Sequence, residues 1–302
     1  MRAVIYSLLA SIFFAATFTL NRSMDLAGGH WTWSASLRFF FMLPMLACLL
    51  GPKRLRAALA HFSAHRTEYL LWSTVGFGLF YAPVTFAAAH GEGWLVAGTW
   101  EITIIAGPLL TPFLRQDGER TRIPFAAMRW SLLILLGVAL MQWEHAENLS
   151  IATMLACALP IIPAAFMYPL GNRKMMQVCG DEVDTFQRVF NMTLASMPFF
   201  LLLALWGLLA DGLPSSGQVG QSVLVALFSG VFATLLFFAA TNLVRRSPER
   251  LAAVEAVQAG EVVFALVGEI VLLHAPLPSV VSLAGIFLIC LGVILHSLRS
   301  GK

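Results

Sequence analysis

Asn21-Arg22-Ser23-Met24, at the end of the first apolar segment, returns as Asn172-Arg173-Lys174-Met175 at the end of the sixth. Arg38-Phe39-Phe40-Phe41-Met42 returns in the same way as Arg188-Val189-Phe190-Asn191-Met192. The first echo is displaced by 151 residues (21 to 172) and the second by 150 (38 to 188). Two echoes in one order at nearly one displacement point to a unit written twice. If each unit crosses a bilayer an odd number of times, the second copy is inverted relative to the first. Inverted repeats place a site at the membrane midplane between the halves.

Composition requires a membrane setting. Hydrophobic residues make up 59% and charged residues 12% of the chain, and the mean hydropathy is +0.80, far from the balance of a soluble domain. A hydrocarbon core of ~30 Å needs roughly 20 apolar residues per helix. Runs of that kind occupy 3–22, 31–50, 68–89, 93–114 and 125–143 in the first half, and 150–170, 185–209, 219–242, 250–273 and 278–298 in the second. The expected fold is all-α, about ten transmembrane helices in two inverted five-helix repeats, 1–146 and 147–302, divided near Glu144 to Asn148. The amino end resembles a secretory signal in outline. Its far end carries the Asn-Arg-x-Met element and so belongs to the repeat. Cys48, Cys157, Cys179 and Cys290 are scattered, with neither a disulfide framework nor metal-ligand spacing.

Basic residues concentrate in cytoplasmic loops. With the amino end inside, the inner loops hold Lys53, Arg54, Arg56 and Arg66, then Arg115, Arg120 and Arg122, then Arg173 and Lys174, then Arg245, Arg246 and Arg250. Arg22 alone is left near the outer face, beside Asp25, Glu92, Glu144, Glu147 and Asp211. Both termini are therefore expected in the cytoplasm. The net charge of +3 follows from this bias, and no nucleic-acid partner is needed to account for it.

Ionisable residues inside apolar runs carry whatever chemistry there is, because each costs at least ~2.5–3.5 kcal/mol at the bilayer centre unless it faces a cavity or a partner. Six qualify: Arg38, Glu101, Arg188, Glu255, Glu261 and Glu269. Glu101 and Glu261 stand near mid-depth on helices four and nine, which correspond under the repeat. A carboxyl group there suits exchange of a proton for a cationic substrate, since low dielectric favours its neutral form until a cation arrives. The competing reading is a structural ion pair with Arg38 or Arg188. Those arginines occupy matching positions on helices two and seven and equally suit an anion. Glu255 lies towards the inner mouth and Glu269 towards the outer end.

Trp100 next to Glu101, and Tyr81 with Phe77 and Phe80 on the preceding helix, present aromatic faces that attract organic cations. Trp94 flanks the same approach. Trp31 and Trp33 read as interfacial anchors. Pro44, Pro83, Pro108, Pro112, Pro160, Pro163, Pro169 and Pro198 permit kinks, and Gly285 and Gly292 share nearly one face of the last helix, allowing close approach to a neighbour. There is no His-Glu-x-x-His, Gly-x-Ser-x-Gly or Walker loop, and the seven histidines are dispersed. An enzyme is disfavoured, no metal or cofactor is expected, and any pumping draws on an ion gradient or a partner.

From Val257 to Leu295, the elements Gln258-Ala259-Gly260-Glu261-Val262-Val263, Gly268-Glu269, Leu277-Pro278 and Leu283-Ala284-Gly285 through Gly292-Val293 resemble the end of a repeat in the ten-helix (EamA-type) drug/metabolite transporter superfamily. Glu101-Ile102 and Leu136-Gly137-Val138-Ala139-Leu140 mirror it in the first half. Asn21-Arg22-Ser23-Met24, Gly28-Gly29 and Trp33-Ser34-Ala35-Ser36-Leu37-Arg38 are similar to the EmrE-like, putative multidrug resistance efflux transporter branch. Where that family commonly has Pro after the glutamate, this chain has Ile102 and Val262. The resemblance implies a helix bundle with a central cavity, alternating access, and export of drugs, amino acids or other metabolites, with Glu101 and Glu261 as the membrane-embedded acids. The resulting expectation is an inner-membrane, proton-coupled exporter of small organic solutes. A metabolite facilitator using Arg38 or Arg188 and a lipid-binding membrane protein are the alternatives.

Overall fold

The computed structural model describes residues 1–91, 93–116, 119–120, 123–146, 150–272, 274 and 277–299. Ten helical segments run through them: α1 (Arg2–Leu26), α2 (Trp31–Ala64), α3 (Arg66–His90), α4 (Leu95–Phe113), α5 (Phe125–Ala146), α6 (Ile151–Cys179), α7 (Thr185–Asp211), α8 (Ser216–Leu243), α9 (Pro248–Leu272) and α10 (Val280–Arg299). Among the described residues, nine of these are long and apolar enough to cross a membrane, and α5 carries a shorter apolar stretch, Met128–Trp143. The protein is an all-α membrane protein. A two-residue ladder, β1 (Arg115–Gln116) antiparallel to β2 (Glu119–Arg120), joins α4 to α5. The expected division near Glu144 to Asn148 falls partly at 147–149, outside the described residues.

Local sequence sets the helix ends. Ser150, Ser215 and Ser247 cap α6, α8 and α9 by accepting from backbone N–H groups three residues on, and Asp184 with Gln187 forms a full capping box at α7. Within α2, Gly51 takes φ +68°. Glycine adopts that conformation without the Cβ penalty, and Pro52 then starts a second helical piece. The basic residues Lys53, Arg54 and Arg56 thus leave the apolar part of α2 and ride on its tail.

Contacts follow a regular scheme. α2 packs on α7, α4 on α9 and α5 on α10, while α3 packs on α6, α1 on α8, α1 on α9 and α4 on α6. Exchanging the first five helices with the last five maps every one of these contacts onto itself or onto another of them. Irregular backbone also recurs in matching places: α3 widens to a π-helix at Thr74–Gly78 and α8 at Ala226–Ala233, while α4 and α9 tighten at their central acids, as described below. None of the prolines stands inside the π segment of α8, so proline does not cause that irregularity.

Helices in a membrane associate through close packing rather than hydrophobic expulsion, which favours small residues at crossings. The neighbour that Gly285 and Gly292 admit is α5: a Cβ at Gly285 would lie 2.5 Å from the carbonyl oxygen of Gly137, and one at Gly292 would lie 2.5 Å from Ile134. At the α3–α6 crossing a Cβ at Gly171 would stand 2.4 Å from the Cα of Gly76. Backbone cannot swing aside, so Gly171→Ala is expected to cost about 1–3 kcal/mol and to lower the melting temperature in detergent. Gly220→Ala, on α8 with nothing within 4 Å of the added methyl, is the control and should leave melting unchanged or raise it. Equal melting of the two variants would mean that this crossing does not depend on backbone contact.

Candidate functional site

α4 is not continuous. Its N-terminal piece ends at Trp100, and the backbone N–H groups of Glu101 and Ile102 bond to Gly98 O (3.3 Å) and Thr99 O (3.2 Å), three residues back. Helix resumes at Thr103. α9 does the same, with a 3-10 turn at Val257–Ala259 immediately before Gly260-Glu261. A 3-10 stretch within a helix marks a hinge or strain. Here both stretches adjoin the acids picked from sequence, without the proline common in the family after the glutamate.

The two acids differ in what they touch. Glu101 is wholly buried, and neither carboxylate oxygen has a hydrogen-bond partner among the described residues. Glu261, 2% exposed, accepts a hydrogen bond from Gln258 Nε2 at 3.0 Å, one helical turn earlier. α4 and α9, which carry the two acids, are packed together. Neither forms an ion pair with Arg38 or Arg188 among the described residues. The structural-pair reading therefore has no contact in this arrangement to support it.

Glu261 lines a small cavity together with Arg38, Phe80, Trp100, Tyr168 and Gln258 among others, with free volume of about 20 Å³, enough for roughly one water. Its walls are aromatic: Phe80 lies 4.8 Å from Trp100 and 4.6 Å from Tyr168, and Tyr168 stacks on Phe237 at 5.8 Å. The Arg38 guanidinium sits 4.0 Å over the Tyr81 ring and donates to Ser229 O at 3.2 Å in the π segment of α8; its Nε has no hydrogen-bond partner among the described residues. Tyr81 in turn accepts from Asn21 Nδ2 at 3.2 Å, which gives the first repeated motif a place beside the site. The fold therefore gathers Glu261, Trp100, Arg38 and Tyr81, with Glu101 next to Trp100.

Arg188 and Glu255 stand apart from that cavity. Arg188 lies over Phe238 (4.9 Å) and donates to its carbonyl oxygen at 3.2 Å. Glu255 is held by Arg173, whose Nη2 reaches Oε2 at 2.7 Å and Oε1 at 2.9 Å and whose Nη1 donates to Thr111 Oγ1 at 3.2 Å. Arg173 is 5% exposed and is not a loop residue, because α6 continues two turns past the predicted end at 170, to Cys179. Gly107 makes room for the pair: a Cβ there would be 2.1 Å from Glu255 Oε2. Trp33 is buried and donates its indole N–H to Gly212 O, at the end of α7, at 2.9 Å. The side chains of Glu269 and Trp94 lie outside the described residues. Tyr168, Gln258 and Arg173 were missed. Only the Asn-Arg echo signalled Arg173.

A buried acid at a helix break, an aromatic cavity and a ten-helix bundle define a class of polytopic membrane proteins. The chain belongs to the family described as putative multidrug resistance efflux transporter (EmrE), whose model matches residues 1–302. It is 52% identical over 310 residues to the uncharacterized protein YjlA of Bacillus subtilis (strain 168), covering 99% of this chain and 95% of that one. A second relative, an uncharacterized 42.1 kDa protein of Shouchella clausii from the 3′ region of an intracellular alkaline protease gene, is 43% identical over 267 residues, covering 86% of this chain and 70% of that one. A solved crystal structure with 16% identity superposes with a TM-score of 0.66 over 99% of this chain and 97% of its own, a likeness of fold alone.

Proposed function

We propose that this protein is a proton-coupled exporter of small organic solutes, drug-like cations or metabolites, in the bacterial inner membrane. It works by alternating access between two inverted five-helix repeats, 1–146 and 147–302. The observation that carries this reading is Glu101: a wholly buried carboxyl group with neither oxygen hydrogen-bonded among the described residues, at a break in the helix whose Trp100 lines the aromatic cavity. Charge on such a group is sustained only by a compensating cation. A proton and a cationic solute can then alternate there, and Glu261, on the helix packed against that of Glu101, shares the task. The exchange symmetry of the helix contacts supports the repeat, and the paired irregularities of α3 with α8 and of α4 with α9 are where the halves would flex.

Substrate-dependent proton release from the purified protein in weakly buffered detergent tests this. Organic cations should release protons on binding, and Glu101→Gln/Glu261→Gln protein should release none. Binding without proton release would overturn the coupling. A second reading rests on Arg38, whose Nε is unpaired at the cavity wall: there the substrate is an amino acid or other carboxylate, carried without proton exchange, and anionic solutes would bind while cations do not.

The distribution of basic residues supports cytoplasmic termini. Cysteines at Ser63 and Ile151, both exposed, in a background lacking the native cysteines, report the orientation. An impermeant thiol reagent added to intact cells should label position 151 and leave position 63 untouched until the membrane is opened. The reverse pattern would invert the orientation.

A further inference from the structure

His61 and His65 are four residues apart, on the tail of α2 and at its C-cap, so their rings share one side of the chain, with centroids 4.6 Å apart. Glu182 faces them from the loop between α6 and α7, with Oε2 at 3.6 Å from His61 Nε2. One ligand atom from each of the three lies within 4.8 Å of the others. The loop is held on both sides of Glu182. Arg245 donates to Gly180 O at 3.1 Å and to Asp181 Oδ1 at 2.7 Å, which keeps the Asp181 carboxyl below its ordinary range, and Asp184 pairs with Arg54. With its neighbouring acids engaged, Glu182 is left to the histidines.

His61 is held through its other ring nitrogen by a second set of bonds. Tyr69, fully buried, is 3.0 Å from His61 Nδ1 and 3.2 Å from Cys179 Sγ, and it accepts from Asn191 Nδ2 at 3.2 Å. A phenol has one proton to give and two lone pairs. One arrangement that satisfies all three gives that proton to the sulfur and accepts from Asn191 and from His61 Nδ1–H, and it leaves the lone pair of His61 on Nε2. That atom belongs to a residue 8% exposed and has no hydrogen-bond partner among the described residues. A buried imidazole nitrogen oriented by a bond on its other nitrogen, aimed at a second histidine and a carboxylate, is how metal-binding histidines are arranged.

We infer that His61, His65 and Glu182 form a binding site for a divalent transition-metal ion, Zn²⁺ by its two-imidazole, one-carboxylate donor set, with water as the fourth ligand. The ligands come from the tail of α2 and from the α6–α7 loop, so the ion joins the two halves of the chain at one end of the bundle. It does not touch the central cavity, and the inference is independent of the proposed transport.

The test uses the full chain purified in detergent without a polyhistidine tag, with ZnCl₂ titrated against a chromophoric zinc indicator. One Zn²⁺ per chain is expected, with Mg²⁺ failing to compete. Glu182→Gln and His65→Gln alter exposed or half-exposed residues and keep the fold; each should weaken the affinity at least about tenfold. Tyr69→Phe, which removes the hydroxyl that orients His61, should weaken it by about 10–100-fold. Zinc should also raise the melting temperature of the native chain and not that of Glu182→Gln. Absence of stoichiometric binding, or equal binding by the native chain and by Glu182→Gln and His65→Gln, overturns the site and leaves a simple His61–Glu182 contact.

Discussion

Glu101→Gln and Glu261→Gln should each abolish proton-driven transport in a protein that folds, inserts and melts like the native chain. Glutamine keeps the shape and removes the titratable group. At position 261 its side-chain oxygen still accepts from the Gln258 amide that now bonds Glu261 Oε1. At position 101 the present carboxylate has no bond to lose. Had either acid been paired with Arg38 or Arg188, the substitution would have left a buried guanidinium unpaired at a cost of roughly 3–5 kcal/mol. No such pair exists among the described residues, so stability should be unaffected and transport lost. Glu→Asp at either position, one methylene shorter and still titratable, should retain part of the activity with a displaced pH dependence, since desolvation changes with depth. Detergent melting and uptake into proteoliposomes under an imposed proton gradient, measured on the same preparations, decide the matter. Well-folded Gln variants that still transport against the gradient would exclude both acids as coupling groups.

The opposite outcome is expected at Arg173 and Glu255. Arg173→Ala or Glu255→Ala should each destabilise by about 3–5 kcal/mol, because the remaining charge is buried and loses a bidentate partner. The double replacement Arg173→Met/Glu255→Met should recover most of that loss, since two apolar side chains of similar length carry no desolvation cost. A melting series of the four proteins forms the cycle. Single variants that melt with the native chain would mean that water reaches the pair and compensates either charge. The contrast with Glu101 is informative: one buried acid has a fixed countercharge and holds helices α6 and α9 together, while the other has none.

Much of the fold was legible because the bilayer admits few solutions. A spanning segment must satisfy its backbone internally and present roughly 20 apolar residues, so apolar runs locate helices almost directly. The chain boundaries read from hydropathy were shortest where polar residues ended the run. The apolar run that predicts α6 stops at 170, yet the helix carries Arg173 within the bundle. A basic residue adjoining an apolar run looks the same in one dimension whether it faces cytoplasm or a buried acid.

The site was legible in part, for a related reason. An intramembrane carboxylate is conspicuous against apolar sequence, which singled out Glu101, Glu255 and Glu261 together. Their separate circumstances were invisible, because each depends on a residue far away in the chain: Arg173 is 82 positions from Glu255, and the π segment that receives Arg38 lies 191 positions from it. The breaks at Glu101 and Glu261 could not be read from proline, since Ile102 and Val262 follow the acids.

The sequence by itself determined that this is a ten-helix, all-α membrane protein with a few costly charges inside it and an echo between its halves. Periodicity, composition and the bilayer's thickness act on local stretches, and local stretches are what a sequence displays. Tertiary structure alone decided which acid is neutralised and which is left open, which aromatic rings wall the cavity, and that His61 meets Glu182. Coulomb interaction, hydrogen bonding and desolvation depend on distances across the bundle, and those distances exist only once the helices have packed.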